Sequence, residues 1–470
     1  MDAIRRFMGH VFPRGAILLA TLTFAGYAMG LVRDRAFART FGTSADLDAY
    51  NAALQLPEIV LNILVAAGLG AAFVPIFARL RSDDAEAADR FSRTVLTVGA
   101  VVMGIGAVIL FILAPETARF VVPTWTGAQL DQYVELFRVM CVTTVIFAVS
   151  FTIGEMLLAR RRFLSYGIAP LLYNTGIVLG AVVLGPSMGI MGVAVGTIAG
   201  ALLHLGARLL GILRTDASLR PLWHVRTPSY RQYLRLSIPK MVSEPIESLT
   251  FLWFTAAASG IVVGGVSAVS YARNFQSVPV SIVGIAFATA VFPVLSDAAA
   301  QRDRGRFARI VTTNTITIAL ITGAGAVLMA LLSSRLIGTL LGGGEFDEAD
   351  VALTASVLAA FTLSIPLEAL TALFARAVYA TRNTLLPVIA SVVGLALTLG
   401  AVEVLKGSQG LLALPLAFAL GQGVKLAILA VVLVARVRQL GGPGEPPDPL
   451  ADEPHADPDA PTSQVPIVHA

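Results

Sequence analysis

Charge is what this chain has least of. Of 470 residues only 14% are Asp, Glu, Lys or Arg, and 56% are hydrophobic, where a soluble domain carries roughly 25% charged residues. The length alone would suit about three soluble domains, but there is too little polar surface to coat them, which sets a soluble enzyme aside. Cysteine is nearly absent. The lone Cys141 excludes a disulfide framework and a cysteine zinc site. The histidines His10, His204, His224, His455 and His469 fall at no metal-ligand spacing. No Walker, GxGxxG or HExxH motif occurs, so nothing in the chain is built to hydrolyse ATP.

Long apolar runs are abundant, and the mean hydropathy is +0.78. A helix of about 20 apolar residues crosses the bilayer core. Twelve such spans lie near 15–34, 48–78, 93–115, 131–159, 163–185, 189–213, 234–258, 265–297, 307–332, 350–379, 384–405 and 411–436. The fold class is therefore all-α, a polytopic membrane protein. Several spans are too long to stand upright and must tilt or project. Pro57 and Pro75 in the second span, and Pro279 and Pro293 in the eighth, predict kinks.

Loop charges set the orientation. With the N-terminus in the cytoplasm, cytoplasmic segments hold 24 Lys or Arg, Arg208 among them, and outer segments hold 6. That asymmetry follows the positive-inside rule and puts both termini in the cytoplasm. The basic stretch Met1–Arg14 precedes no small-residue cleavage site, so the first span reads as a retained helix rather than a signal peptide. Residues 441–470 hold six acidic groups, eight prolines and no Lys or Arg, the composition of a disordered cytoplasmic tail. The remaining +10 of charge reports topology, and no nucleic-acid partner is expected.

The two halves resemble each other at an offset of 217–222 residues. Ala49-Tyr50, Pro57 and Phe73-Val74-Pro75 recur as Tyr271-Ala272, Pro279 and Val291-Phe292-Pro293. Arg160-Arg161-Arg162 with Pro170 recurs as Arg382-Asn383 with Pro387. Six spans per half is an even number, so both halves enter the membrane the same way. Such parallel repeats are related by an axis along the membrane normal, with substrate between them and alternating access by rocking. The expected units are an N-terminal bundle over 1–222, a C-terminal bundle over 223–440 and the tail.

Charges within spans are expensive and mark function by default. Arg33, Asp34, Arg35 and Arg39, followed by Asp46 and Asp48, sit where spans one and two meet. Arg33 and Asp34 end an apolar run directly and are expected to face a central cavity; Arg35, Arg39 and Asp46 also read as a solvated hairpin with ion pairs. Glu58, one residue past Pro57, suits a cation or a sugar hydroxyl, or a hydrogen-bonded helix turn. Lys240 and Glu244, four apart, share a helix face with Glu247 near the start of span seven, where a plain intrahelical pair explains them as well. Arg273 and Asn274 lie in span eight. A lipid-facing arginine there would cost at least about 2.5–3.5 kcal/mol, and a guanidinium holds phosphate bidentately. Glu155, Arg138, Glu368 and Arg376 are weaker candidates. Gly68, Gly70, Gly260, Gly264 and Gly265 read as close helix packing.

These residues carry a resemblance. Gly30-Leu31-Val32-Arg33-Asp34, Phe41-Gly42, Asp48-Ala49-Tyr50, Leu56-Pro57 and Ala72-Phe73-Val74-Pro75-Ile76 are similar, without gaps, to the MurJ/MviN lipid II flippases. Tyr271-Ala272 through Pro279, Gly284 and Phe292-Pro293-Val294-Leu295-Ser296, and the stretch Leu341–Phe346, resemble later segments of that family. The likeness covers roughly 15–436. It implies a MOP-type fold of two six-helix bundles in a V around a cationic central cavity whose arginines hold a lipid-linked pyrophosphate. By position, Arg33, Asp34, Arg39 and Asp48 match family residues. Tyr27 and Leu61 stand where the family has arginine, and the family's Ala-Asp-Arg is Ala272-Arg273-Asn274 here.

The expected substrate site is thus Arg33, Asp34, Arg39, Asp48, Glu58, Arg273 and Asn274, with no catalytic or metal residues. The expected activity is flipping of a polyprenyl-pyrophosphate-linked glycan, foremost the peptidoglycan precursor lipid II, in the bacterial inner membrane, without covalent chemistry or a cofactor. A coupling cation or the membrane potential would supply the drive, and cell-wall synthesis proteins are the expected protein partners. The alternatives are a MATE-like cation-coupled drug antiporter, an exporter of another lipid-linked oligosaccharide, or a scaffold that recruits wall-synthesis proteins.

Overall fold

The computed structural model describes residues 14–440 apart from Ala67 and Glu244. The acidic tail, the first thirteen residues and Glu244 lie outside the described residues. Within them the chain is helical, with one isolated bridge, Gly343 to Phe346, in a tight turn. Nine helical stretches are long and apolar enough to cross a membrane. The last of these, Leu385–Gln439, is two helices. Together with Arg14–Phe41 and a broken helix over 228–258, twelve crossing segments result.

In chain order the helices are α1 (Arg14–Phe41), α2 (Ala45–Leu61), α3 (Val74–Asp83), α4 (Ala85–Ile112), α5 (Ala114–Val121), α6 (Gly127–Ala159), α7 (Phe163–Leu179), α8 (Gly185–Met188) and α9 (Ile190–Ile212). They continue as α10 (Pro228–Ser243), α11 (Pro245–Ala258), α12 (Gly265–Pro279), α13 (Ala286–Ala300), α14 (Arg304–Leu340), α15 (Glu348–Phe361), α16 (Ser364–Ala380), α17 (Leu385–Gln409) and α18 (Ala413–Gln439). Starts follow local chemistry. Ser44, Asp84, Asp303 and Asp347 each accept a backbone N–H of the first turn they precede, as capping requires.

α2, α4, α6, α7 and α9 pack around one another, with α1 against α7; α12 to α18 form a second cluster with α11 on its edge. α10 packs against α4 and the second span, whereas α11 touches α2, α5, α12 and α17. The seventh span therefore bridges the clusters. Burial separates central from peripheral helices. The most apolar window within Gly127–Ala159 is 56% buried, and that of Arg304–Leu340 only 17%. The latter exposes Leu320, Val327, Leu328 and Leu331, a lipid-facing surface.

The repeat has a conformational signature. A wide π-helical stretch follows Pro57 at Asn62–Ala66 and Leu69–Phe73, and another follows Pro279 at Val280–Ile285. Proline interrupts helical hydrogen bonding, and the widened turns follow two of the four prolines singled out; Pro75 stands in the first turn of α3 and Pro293 inside the regular helix α13. Arg161 and Arg382, 221 residues apart, both adopt positive φ (57° and 60°) where a helix ends at an arginine-bearing turn.

Glycine sets the tightest packing. A Cβ on Gly196 would lie 2.5 Å from Gly180 Cα and 2.6 Å from Gly176 O, and one on Gly180 would lie 2.7 Å from Gly196 Cα. α7 and α9 thus meet backbone to backbone, the small-residue mode of membrane helices. Gly196→Ala should destabilise the protein by about 1–3 kcal/mol, the range for forcing atoms into a filled core. A fall in the thermal unfolding midpoint of the purified protein would show this; an unchanged midpoint would mean the two helices are free to separate.

Candidate functional site

α1, α2, α7 and α12 converge on a polar cavity. One part, of about 280 Å³, is lined by Arg33, Asp34, Tyr50, Asn51, Gln55, Glu58, Tyr173, Ser270, Tyr271 and Asn274. A second part, of about 340 Å³, shares Arg33, Leu54, Glu58 and Tyr173 and runs into the N-terminal cluster to Asn62, Thr143, Thr144 and His204. The contributing residues of α2 follow helical spacing. Asn51, Gln55 and Glu58 are four and three apart and share a face.

A chain of polar contacts crosses this cavity. Arg33 gives Nε and Nη2 to Asp34 Oδ1 at 3.1 and 2.8 Å, and Nη1 to Asn174 Oδ1 at 3.2 Å. The other oxygen of Asp34 accepts from Asn274 Nδ2 at 2.9 Å. Arg33 therefore ties α1 to α7, and Asp34 ties α1 to the C-terminal half. Glu58 has no hydrogen-bond or ion-pair partner among the described residues. Of the seven expected site residues, Arg33, Asp34, Glu58 and Asn274 meet here.

The other three are elsewhere. Asp48 is 2% exposed and accepts from Gly264 N at 2.8 Å, Ser267 N at 2.7 Å and Ser267 Oγ at 2.6 Å. It caps α12 from the opposite half. It is on the same stripe of α2 as Asn51 and Glu58, but ten residues from Glu58 is about 15 Å of rise, which carries it to the end where the halves touch. Arg39 is at that end too. Its carbonyl accepts from Glu345 N at 3.1 Å, and the exposed side chain runs beside Gly343. Thr43 N and Oγ1 donate to the two oxygens of Asp350, and Arg35 Nη1 donates to Thr339 O and Leu340 O at 2.9 and 2.7 Å. Gly264 is needed in this contact. Its φ is +80°, and any Cβ would collide with Thr43.

Arg273 is turned into its own cluster. It grips both oxygens of Glu368 at 3.0 and 3.1 Å, reaches Glu247 Oε1 at 3.0 Å and contacts Gln276. The rings of Phe251 and Phe418 flank it at 4.6 and 5.3 Å from their centroids. One residue along a helix is a rotation of about 100°: Asn274 lines the central cavity, while Arg273 lines a smaller recess that shares Gln55 and Ser270 with it. The charged lining of the two cavity parts is Arg33, Asp34 and Glu58, and Arg273 lines an adjoining recess, where Glu368 and Glu247 hold it.

Of the weaker candidates, Glu368 serves Arg273. Among the described residues Arg138 donates to the Phe111 carbonyl, at 3.5 Å, and Arg376 to that of Ala372, at 3.4 Å. Lys240 is exposed. Arg208 is not a loop charge. α9 continues past it, it is 5% exposed, its Nη1 donates to Ser150 O at 2.7 Å, and it fills the space left by Gly154. Asn174, Tyr173, Asn51 and Ser267 were not anticipated. Asn174 carried a signal, an amide within an apolar run four residues past Pro170.

Two helical clusters closed on each other at one end, around a polar cavity within membrane-length helices, define a MOP-type membrane transporter. Comparison with known proteins narrows this. The sequence model of the family "Lipid II flippase MurJ" matches residues 37–444. A probable lipid II flippase MurJ of Rickettsia prowazekii is 24% identical over 380 residues, 80% of this chain and 74% of that protein. Lipid II flippase MurJ of Burkholderia cenocepacia is 24% identical over 386 residues, 78% and 74% of the two chains. A lipid II flippase MurJ structure in an inward closed conformation superposes with a TM-score of 0.74 at 20% identity over 90% of both chains. An inward-facing multidrug resistance transporter of the MATE family superposes at 0.76 with 15% identity, over 90% of this chain and 98% of its own. The chain belongs to the lipid II flippase MurJ family.

Asp48→Ala would leave three donors of α12 without their acceptor, at about 1–3 kcal/mol for a buried group left unpaired. Hydrogen exchange at the Gly264 and Ser267 amides should accelerate at least about tenfold. Unchanged exchange would mean that Asp48 does not hold the halves together.

Proposed function

We propose that this protein moves lipid II, an undecaprenyl-pyrophosphate-linked peptidoglycan precursor, from the inner to the outer leaflet of a bacterial inner membrane by alternating access. The observation that carries this is the family match across 37–444, joined to an arginine in the cavity between the halves. The chain makes and breaks no covalent bond and uses no cofactor. The membrane potential or a cation gradient resets it, and cell-wall synthesis proteins receive its product.

The loop arginines put both termini in the cytoplasm. The end closed by Asp48, Thr43 and Asp350 is then the outer one, and the headgroup enters from the cytoplasmic side. Arg33 is the group suited to phosphate, since a guanidinium grips it through two parallel donors. Capture has a structural consequence. Nε and Nη2 of Arg33 are held by Asp34, and Asp34 also holds Asn274 of the other half. A phosphate that takes those donors displaces Asp34 and loosens its link to Asn274, which couples substrate capture to separation of the halves. The bodies that rock are 1–222 and 223–440, with the broken seventh span as connector.

The test is rescue of a strain depleted of its own lipid II flippase, with exposure of labelled lipid II on the outer leaflet as readout. The parent chain should rescue. Arg33→Ala should abolish exposure with normal membrane insertion, and Arg33→Lys should keep a fraction, since Lys presents a point charge rather than a fork. Full activity of Arg33→Ala would remove the phosphate site. A second reading, cation-coupled antiport of a cationic solute, is favoured by one observation, the unpartnered Glu58 in a lining of two carboxylates and one arginine. Proton-driven efflux of an organic cation that Glu58→Gln abolishes, with no lipid II exposure by the parent, would establish it instead.

A further inference from the structure

A second pocket, of about 200 Å³, lies away from the central cavity between α11, α17 and α18. Its polar lining is Glu247, Thr250, Ser391, Thr398, Gln422 and Lys425. Glycine makes the crossing that forms it. A Cβ on Gly394 would lie 3.1 Å from Gly421 O and 3.3 Å from Lys425 Cβ, so α17 and α18 meet backbone to backbone and their side chains converge.

The lining is rich in acceptors. Thr250, Ser391 and Thr398 each donate the hydroxyl proton to a carbonyl one turn earlier, those of Ile246, Pro387 and Gly394, at 3.3, 2.9 and 2.9 Å. That leaves lone pairs for the pocket. Gln422 is 9% exposed, and its Oε1 is buried without a partner. Glu247 adds a carboxylate. Lys425 supplies the positive charge, and the carboxylates acting on it are Glu247 and Glu368.

The charges balance. Glu247 and Glu368 face Arg273, which bonds both, and Lys425, so two carboxylates meet two cations. Without the ammonium the cluster would carry one uncompensated negative charge in an acceptor-lined pocket inside a membrane bundle. A buried charge is tolerated only when paired, and oxygen acceptors around a net negative charge are what a small monovalent cation requires.

We propose that the Lys425 ammonium is the resident cation of this pocket, a tethered replacement for a free monovalent ion. The C-terminal cluster then balances its carboxylates, Glu368 largely buried and Glu247 open to the pocket, without drawing Na⁺ from solution, whichever lipid or solute the central cavity carries. The pocket becomes a free-cation site only when Lys425 loses its charge.

Thermal unfolding of the full chain in NaCl and in choline chloride of equal ionic strength tests this. The parent should unfold at the same temperature in both salts. Lys425→Met should unfold at least about 3 °C higher in NaCl than in choline, because an ion that binds only the folded state stabilises it. Glu247→Gln combined with Lys425→Met restores the charge count and should lose that response. Two results would overturn the proposal: a parent stabilised by Na⁺ over choline, which means a free ion already occupies the pocket, or a Lys425→Met protein indifferent to the cation. Should Lys425→Met not fold, Lys425→Gln takes its place, and the parent comparison decides independently.

Discussion

The architecture depends on one carboxylate reaching across it. Asp48 of α2 takes three hydrogen bonds from the first turn of α12, in the other half of the molecule. Lipid tails are as apolar as leucine, so apolar burial does little to hold two membrane bundles together; close packing and hydrogen bonds must do it. Polar groups join the halves at this end, Asp48 to Gly264 and Ser267, Thr43 to Asp350, Arg35 to two carbonyls, within a buried apolar cluster that runs through both halves. A contact built that way is strong while dry and weak once water offers replacement partners. Those polar bonds suit a closure that must open and re-form in each cycle.

A second constraint is where each intramembrane charge finds its partner. Arg273 satisfies Glu368 bidentately and Glu247 at one oxygen within its own cluster. Arg208 satisfies a carbonyl inside the N-terminal cluster, with Glu155 acting on it electrostatically. Arg33 alone among these is bonded to a carboxylate, Asp34, whose other oxygen accepts from Asn274 of the opposite half. Buried ion pairs within one body are fixed, because breaking them strands a charge. A pair whose acidic member is shared between two bodies can be exchanged when those bodies move, which singles out Arg33 as the mobile charge.

The spans and the paired prolines of the two halves were legible in the sequence because each follows from periodicity, apolar length or the fixed chemistry of proline. So were Arg33, Asp34, Glu58 and Asn274, polar residues that interrupt apolar runs. The placement of Asp48 was not. Its helical face is the cavity face, and only the approach of α12 at that height makes it a cap. Arg273 and Asn274 are adjacent, and no composition rule says which of two neighbours turns inward when both are polar. Arg208 was counted with the cytoplasmic charges although it lies inside the 189–213 span; the helix keeps it buried, because Gly154 leaves room for the guanidinium. Lys425 interrupts an apolar run as Arg33 does, but its role emerges only when three hydroxyls are seen to have turned their protons away from it.

Flippases and multidrug transporters share this fold, so the architecture cannot separate a lipid-linked pyrophosphate from an organic cation; the cavity must. Here Arg33 stands against two carboxylates, and Arg273, in the adjoining recess, is held by two more. In a cavity of unpaired arginines phosphate would bind as an addition, each guanidinium already free to accept it. In this one Asp34 already holds the Nε–Nη2 edge of Arg33, so a phosphate that takes that edge binds by substitution. Substitution is weaker as binding but carries a conformational consequence, because the displaced carboxylate is one that links the halves through Asn274. A cavity arginine paired in this way therefore ties phosphate capture more tightly to movement.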